Sequence, residues 1–230
     1  NRDSYEAYQE AIDRIIRIFQ FNPEVIACDL HPDYLSTIYA EQLSEEKDLP
    51  LLKIQHHYAH IASCMVENQL NEKVIGIAFD GTGLGEDGKI WGGEFFVADL
   101  KDFHRVGHLK YQAMPGGDQV IHQPWRMAYS YLYSIFGPEA AYSNVKLIES
   151  RAPEELKLLN QMMDKKINSP LTSSCGRLFD AVAALIGLRD EVNFEGQAAM
   201  ELEAICHANY KGYYSYQIEE AMPGWIVNTE

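Results

Sequence analysis

The residues with the most chemistry to offer are the imidazoles of Gln55-His56-His57-Tyr58-Ala59-His60 and the carboxylate of Asp80. That carboxylate opens the stretch Asp80-Gly81-Thr82-Gly83-Leu84-Gly85-Glu86-Asp87-Gly88. On an α-helix, residues four apart lie on one face, one turn apart, so His56 and His60 can aim two imidazoles at one divalent ion. A single histidine is most often a hydrogen-bonded core or surface residue. Three within five residues, at the mouth of a helix, shift that balance towards metal. The pattern is not that of a zinc peptidase helix, because His57 stands where the general-base Glu would be. His57 points off the His56/His60 face and is read, with Gln55, as supporting the ligands or touching substrate. Asp80 follows the apolar run Val74-Ile75-Gly76-Ile77-Ala78-Phe79, and a carboxylate at a strand end can add a third hard ligand. Gly81, Thr82 and Gly83 behind it let backbone N–H groups and a hydroxyl approach a phosphate. An Asp-Gly pair alone is a common turn former, so the weight lies on the strand–glycine turn–strand context.

A second cluster is Ser174-Cys175-Gly176-Arg177-Leu178-Phe179-Asp180, which leads into an apolar helix. Its apolar face needs no reading beyond core packing. Asp180 differs, because a carboxylate inside an apolar helix is costly unless paired or ligand-bound, and it could accept ribose hydroxyls. Glu195-Gly196-Gln197 then opens another helix, where free amides and the helix dipole favour polar ligands.

The elements that must position these groups follow from periodicity. Tyr8, Ile12, Ile15, Ile16 and Phe19 have helical spacing, and Asn22-Pro23 ends that helix. Val25–Leu30 and Leu51–Ile54 are short apolar runs, expected as parallel strands covered on both faces. His31-Pro32-Asp33 starts a second helix through about Glu41, and the histidine helix runs over about 57–70. This α–β–α–β–α order predicts helices over a largely parallel sheet, with ligands at the carboxyl ends of the strands. From Val74 a new unit is expected. It begins with strand 74–79, a glycine turn 81–88, strand Ile90–Val97 and a third strand His104–Leu109. Helices follow at Pro124–Phe136, Glu154–Lys166, Cys175–Ile186 and Gly196–Asn209. Tyr213–Ile218 and Trp225–Val227 read as strands without assignable partners. The lobe boundary falls at Asn71-Glu72-Lys73, giving segments 1–72 and 73–230.

Composition limits the partners. With 19 Lys+Arg against 34 Asp+Glu, the net charge of −15 opposes binding to nucleic-acid backbone or anionic lipid. No apolar run reaches the roughly 18 residues that span a membrane. Cys28, Cys64, Cys175 and Cys206 are widely spaced and read as buried thiols in a reducing, cytoplasmic compartment.

Taken together, these motifs resemble the HypF family, the carbamoyltransferases of [NiFe]-hydrogenase maturation. The resemblance rests on Gln55–His60, Phe79–Gly88, Ile90-Trp91-Gly92-Gly93-Glu94, and Pro115-Gly116-Gly117-Asp118 with Pro124-Trp125-Arg126-Met127-Ala128. Gly176-Arg177-Leu178-Phe179-Asp180 and Glu195-Gly196-Gln197-Ala198-Ala199 complete it, in order and over nearly the whole chain. More distantly the chain resembles TsaD-type tRNA threonylcarbamoyladenosine transferases and O-carbamoyltransferases. The resemblance implies an α/β, two-lobed actin-like (ASKHA) ATPase fold, in which a strand–glycine turn–strand hairpin holds phosphate. It implies that His56, His60 and Asp80 bind a divalent metal, iron or zinc, with magnesium an option beside ATP. It implies that Gly81, Thr82, Gly83, Gly176, Arg177, Asp180, Glu195, Gly196 and Gln197 contact ATP or carbamoyl-adenylate; TsaD relatives carry a second glycine in place of Gln197. The carbamoyl group would pass to the C-terminal cysteine of HypE, with the nucleophile on that partner. Both chain ends look cut, so a fragment is expected. The resemblance places a fourth ligand, an Asp, beyond residue 230 and the first strands before Asn1. It leaves carbamoyl-adenylate synthesis to other modules. Two competing readings are a TsaD-like tRNA-modifying enzyme, which the acidic charge opposes, and a non-catalytic actin-like scaffold that docks a partner.

Overall fold

The computed structural model of the chain describes residues 2–207, 210–222 and 224–229. Its contacts fall into two compact units, Asn1–His56 and His57–Glu230.

The first unit holds α1 (Arg2–Phe19), β1 (Ile26–Asp29), α2 (Leu35–Lys47) and β2 (Leu51–Ile54). The strands pair in parallel, Ile26 opposite Leu51 and Asp29 opposite Ile54. Ile12 and Ile16 of α1 and Tyr39 and Leu43 of α2 line one apolar groove with Ile26 and Cys28. The strands are not covered on both faces, since Ala27 and Leu52 are exposed. α2 starts later than His31-Pro32-Asp33 because those residues close a turn of their own. The Asp29 carboxylate accepts the His31 amide at 2.8 Å, and the His31 ring stacks on Tyr34. The helix then continues past Glu41 until Asp48 takes a left-handed conformation, φ 53°.

α3 (His56–Glu67) starts on the last residue of the first unit and packs within the second, where His57, Ile61 and Met65 are its buried residues at four-residue spacing. The chain continues with β3 (Val74–Leu84), β4 (Ile90–Ala98), β5 (Phe103–Leu109), β6 (Gln112–Ala113), α4 (Gln119–His122) and α5 (Pro124–Phe136). Next come α6 (Lys146–Glu149), α7 (Pro153–Asp164), β7 (Leu171–Thr172), α8 (Cys175–Leu185), α9 (Gln197–Ala204), β8 (Gln217–Ala221) and β9 (Gly224–Asn228). The strands form a mixed sheet in the order β6-β7-β4-β5-β9-β8, with β3 paired to β4. β9 lies parallel to β5 and antiparallel to β8, which supplies the partners that composition could not identify.

Ile61 and Met65 pack with Ala78, Trp91, Phe96 and Ala98 on one face of the β3–β4 pair. A Cβ on Gly76 would stand 2.9 Å from Ile61 Cδ1, so only glycine admits the helix this close. A separate helical core joins Trp125, Ala128 and Tyr129 of α5 to Leu156 and Leu159 of α7 and Ala181 and Ala184 of α8.

Further boundaries also differ from the periodicity. β3 does not end at Phe79 but runs to Leu84, with a register shift between Phe79 and Gly83, so residues 80–82 form a bulge inside the hairpin. The tight bend lies further on, where the Gly85 amide donates to the Lys89 carbonyl at 2.8 Å. The run from Tyr213 becomes strand only at Gln217. α9 stops at Ala204, and the expected end at Asn209 lies outside the described residues.

Candidate functional site

The site grows from the bulge. Extra residues in one strand break the ladder, and here Asp80-Gly81-Thr82 stand opposite the single residue Gly92. The Asp80 Oδ1 accepts the amide of Gly81 at 2.6 Å. Its Oδ2 faces α3, with His60 Nε2 at 3.5 Å and His57 Nε2 at 3.8 Å. His57 is fully buried, whereas His60 is exposed. His57, placed off the ligand face by helix geometry, thus also approaches the carboxylate.

In the first unit, Gln55 is buried and His56 Nδ1 lies 2.7 Å from Asp29 Oδ2. Asp29 was missed at the sequence level. A carboxylate at the carboxyl end of a parallel strand, ahead of the histidine segment, was the available signal. A carboxylate on Nδ1 fixes the ring and leaves Nε2 to act as a ligand.

The other face of the bulge is closed by α8. Ser174 caps that helix, its hydroxyl accepting the Arg177 amide at 3.1 Å. The same hydroxyl lies 2.9 Å from the Asp80 carbonyl and 2.6 Å from the Gly81 carbonyl, to which it donates. A Cβ on Gly176 would sit 3.0 Å from Gly81 Cα, so the helix start rests directly on the glycine turn. Glu195 Oε1 would lie 3.5 Å from a Cβ on Gly81.

One turn deeper, Asp180 and Arg177 form a buried pair, Nε to Oδ2 at 2.8 Å. Arg177 Nε and Nη1 and Asp180 Oδ2 are all buried without a hydrogen-bond partner among the described residues, so the pair is held by charge. Burial pushes the Asp180 carboxyl up, against the pull of Arg177, and the charge of Glu195 adds to the rise. Gly196 caps α9 at φ 80°. The Gln197 side chain is engaged within its own segment, its Oε1 accepting the Asn193 amide and its Nε2 donating to Glu201, both at 2.9 Å. The second unit therefore brings His57, His60, Asp80, Gly81, Gly176 and Glu195 together, with the Arg177–Asp180 pair behind.

The cysteines are not uniformly buried as expected. Cys175 is buried and Cys28 is partly so, but Cys64 and Cys206 are exposed. Cys64 sits on α3 away from the Ile61/Met65 face, and Cys206 follows the end of α9. All four are free thiols. Burial raises the Cys175 thiol to about 11, which leaves it protonated at neutral pH.

A mixed sheet carrying a glycine bulge, with a helix capped onto that bulge, makes this an α/β chain, and its solved relatives give the actin-like (ASKHA) type of fold. Comparison with known proteins gives the family. The model described as "Carbamoyltransferase, Kae1-like Domain, second subdomain" matches residues 76–230, and the model described as "HypF Kae1-like domain" matches residues 1–67. The chain belongs to this HypF Kae1-like domain family. It is 40% identical over 210 residues to carbamoyltransferase HypF2 of Cupriavidus necator, covering 90% of the chain and 25% of that protein. It is 42% identical over 215 residues to carbamoyltransferase HypF of Synechocystis, covering 87% and 27%. The chain thus spans about a quarter of the length of these relatives. A crystal structure described as full-length HypF in the phosphate- and nucleotide-bound form superposes with a TM-score of 0.90. It is 46% identical and is matched over 99% of this chain and 29% of that one. The HypF structure of T. kodakarensis gives a TM-score of 0.83 at 34% identity, over 99% and 31%.

Proposed function

We propose that the chain is the metal- and nucleotide-binding core of a carbamoyltransferase of hydrogenase maturation. In this reading it binds carbamoyl-adenylate, or ATP, and passes the carbamoyl group to the C-terminal cysteine of HypE. Residues 1–72 and 73–230 are parts of the two actin-like lobes, in a cytoplasmic protein. The observation that carries the reading is the position of Asp80, whose carboxylate stands 3.5 Å from His60 and which itself opens the glycine bulge at residues 80–82. Membership of a family with a nucleotide-bound structural relative supports it.

The donor set fits a divalent metal. Ligands about 2 Å from one ion stand roughly 3 Å apart, close to the His60–Asp80 separation of 3.5 Å. His56 would complete the set through Nε2, since Asp29 holds its Nδ1. Two imidazoles and a carboxylate suit iron or zinc. When bound, the ion supplies Lewis-acid activation of the phosphoryl or carbamoyl oxygen. The protein's own groups do the rest. Gly81, Thr82 and Gly83 lie along the phosphates. Asp180, held by Arg177, accepts the ribose hydroxyls, while Gly176, Glu195, Gly196 and Gln197 border the nucleoside. His57 and Gln55 support the ligands. In this reading, as the resemblance implies, the nucleophile is the partner's thiolate, and none of the four cysteines of this chain is assigned a catalytic part.

Replacing Asp180 tests the nucleoside assignment. Asp180→Ala, which leaves Arg177 buried and uncompensated, is expected to weaken ATP binding by about tenfold or more by calorimetry. Unchanged affinity would refute the assignment.

A further inference from the structure

Glu94 is fully buried, yet the reading above gives it no task. A buried carboxylate is costly unless charge-paired and hydrogen-bonded, and this one is both. Its Oε1 accepts the amides of Gly92 and Gly93, each at 3.0 Å, and the hydroxyl of Ser173. Its Oε2 accepts from Arg105 Nε at 2.6 Å, and the Arg105 guanidinium lies 4.0 Å over the Trp91 ring. The segment it clamps is the wall of the bulge. A Cβ on Gly92 would fall 2.6 Å from the Asp80 carbonyl oxygen, and one on Gly93 would fall 2.3 Å from that of Ser173. Ser173 is joined in sequence to Ser174, whose hydroxyl holds the Asp80 and Gly81 carbonyls. A continuous path therefore runs from Arg105 through Glu94, Ser173 and Ser174 to the glycine turn, without side-chain contact between Glu94 and that turn.

We infer that Glu94, anchored by Arg105, is a positioning residue that sets the backbone of Asp80–Gly83 for a ligand's phosphates. This rests on the reading that phosphates lie along that turn. Its signature is selective: losing the clamp weakens phosphate-bearing ligands and spares the nucleoside, which sits on Asp180. A general loosening of the fold would weaken both.

The test compares dissociation constants for ATP and for adenosine in the full-length protein, by calorimetry. Ser173→Ala removes one link and leaves the charges in place; Glu94→Gln removes the charge pairing with Arg105. Both are expected to weaken ATP about tenfold while adenosine changes less than twofold. Equal weakening of both ligands, or an unchanged ATP-to-adenosine ratio, would overturn the inference. If Glu94→Gln does not fold, Ser173→Ala decides alone. Failure of the underlying reading shows separately, as a wild-type protein with no preference for ATP over adenosine, and the inference falls with it.

Discussion

Asp80 is the residue on which the account turns, because its two oxygens face different tasks: Oδ1 braces the Gly81 amide, and Oδ2 faces His57 and His60. A second carboxylate, Asp87, plays a purely structural part at the hairpin tip. Burial alone would raise it, but donation from Tyr111, the Lys89 amide and the Trp91 indole outweighs that and brings it down to about 2 from 3.8. A carboxylate with a depressed folded value adds stability above its unfolded value, and that stability fades as pH falls through the folded one. The window here is between about pH 4 and pH 2. Asp87→Asn is therefore expected to cost about 1 kcal/mol at pH 6, after allowance for solvent screening, and progressively less below pH 4. Urea titrations at both pH values would check this, and a pH-independent difference would contradict it.

At the scale of elements, close approach of backbone decides the geometry. α3 can bring its histidines to Asp80 only because β3 presents Gly76 beneath Ile61. Gly76→Ala is expected to destabilise by about 1–3 kcal/mol through overpacking. Adding Ile61→Ala should cost less than the sum of the two single changes, because the clash is then gone. A Gly76→Ala protein as stable as wild type, by urea midpoint, would show that the packing is looser than described. This scale also shows what the sequence could and could not disclose. α5 matches its expected bounds because Pro124 fixes its start. The start of α8 at Cys175 also matches, because Ser174 caps it through a local hydrogen bond. The bulge at 80–82 could not, since a glycine turn and a glycine bulge share one composition and only strand pairing separates them. Glu94 was visible only as part of a motif, because its role depends on Ser173 and Arg105, 79 and 11 residues away. Asp29 escaped notice for the same reason, lying 27 residues from His56.

For the molecule as a whole, the net charge of −15 bears on the proposed acceptor. An acidic surface disfavours a polynucleotide, which is consistent with the protein acceptor proposed above. Among the described residues no helix is long and apolar enough to cross a membrane. The central claim is that metal and nucleotide share one site. Its most direct test is calorimetric titration of ATP into metal-loaded full-length protein, beside a His56→Ala/His60→Ala variant. The account predicts that wild type retains one divalent ion and binds ATP in a metal-dependent way. The double variant should lose the ion and weaken ATP at least tenfold. Equal ATP affinity in both proteins, with the ion gone from the variant, would contradict a shared site.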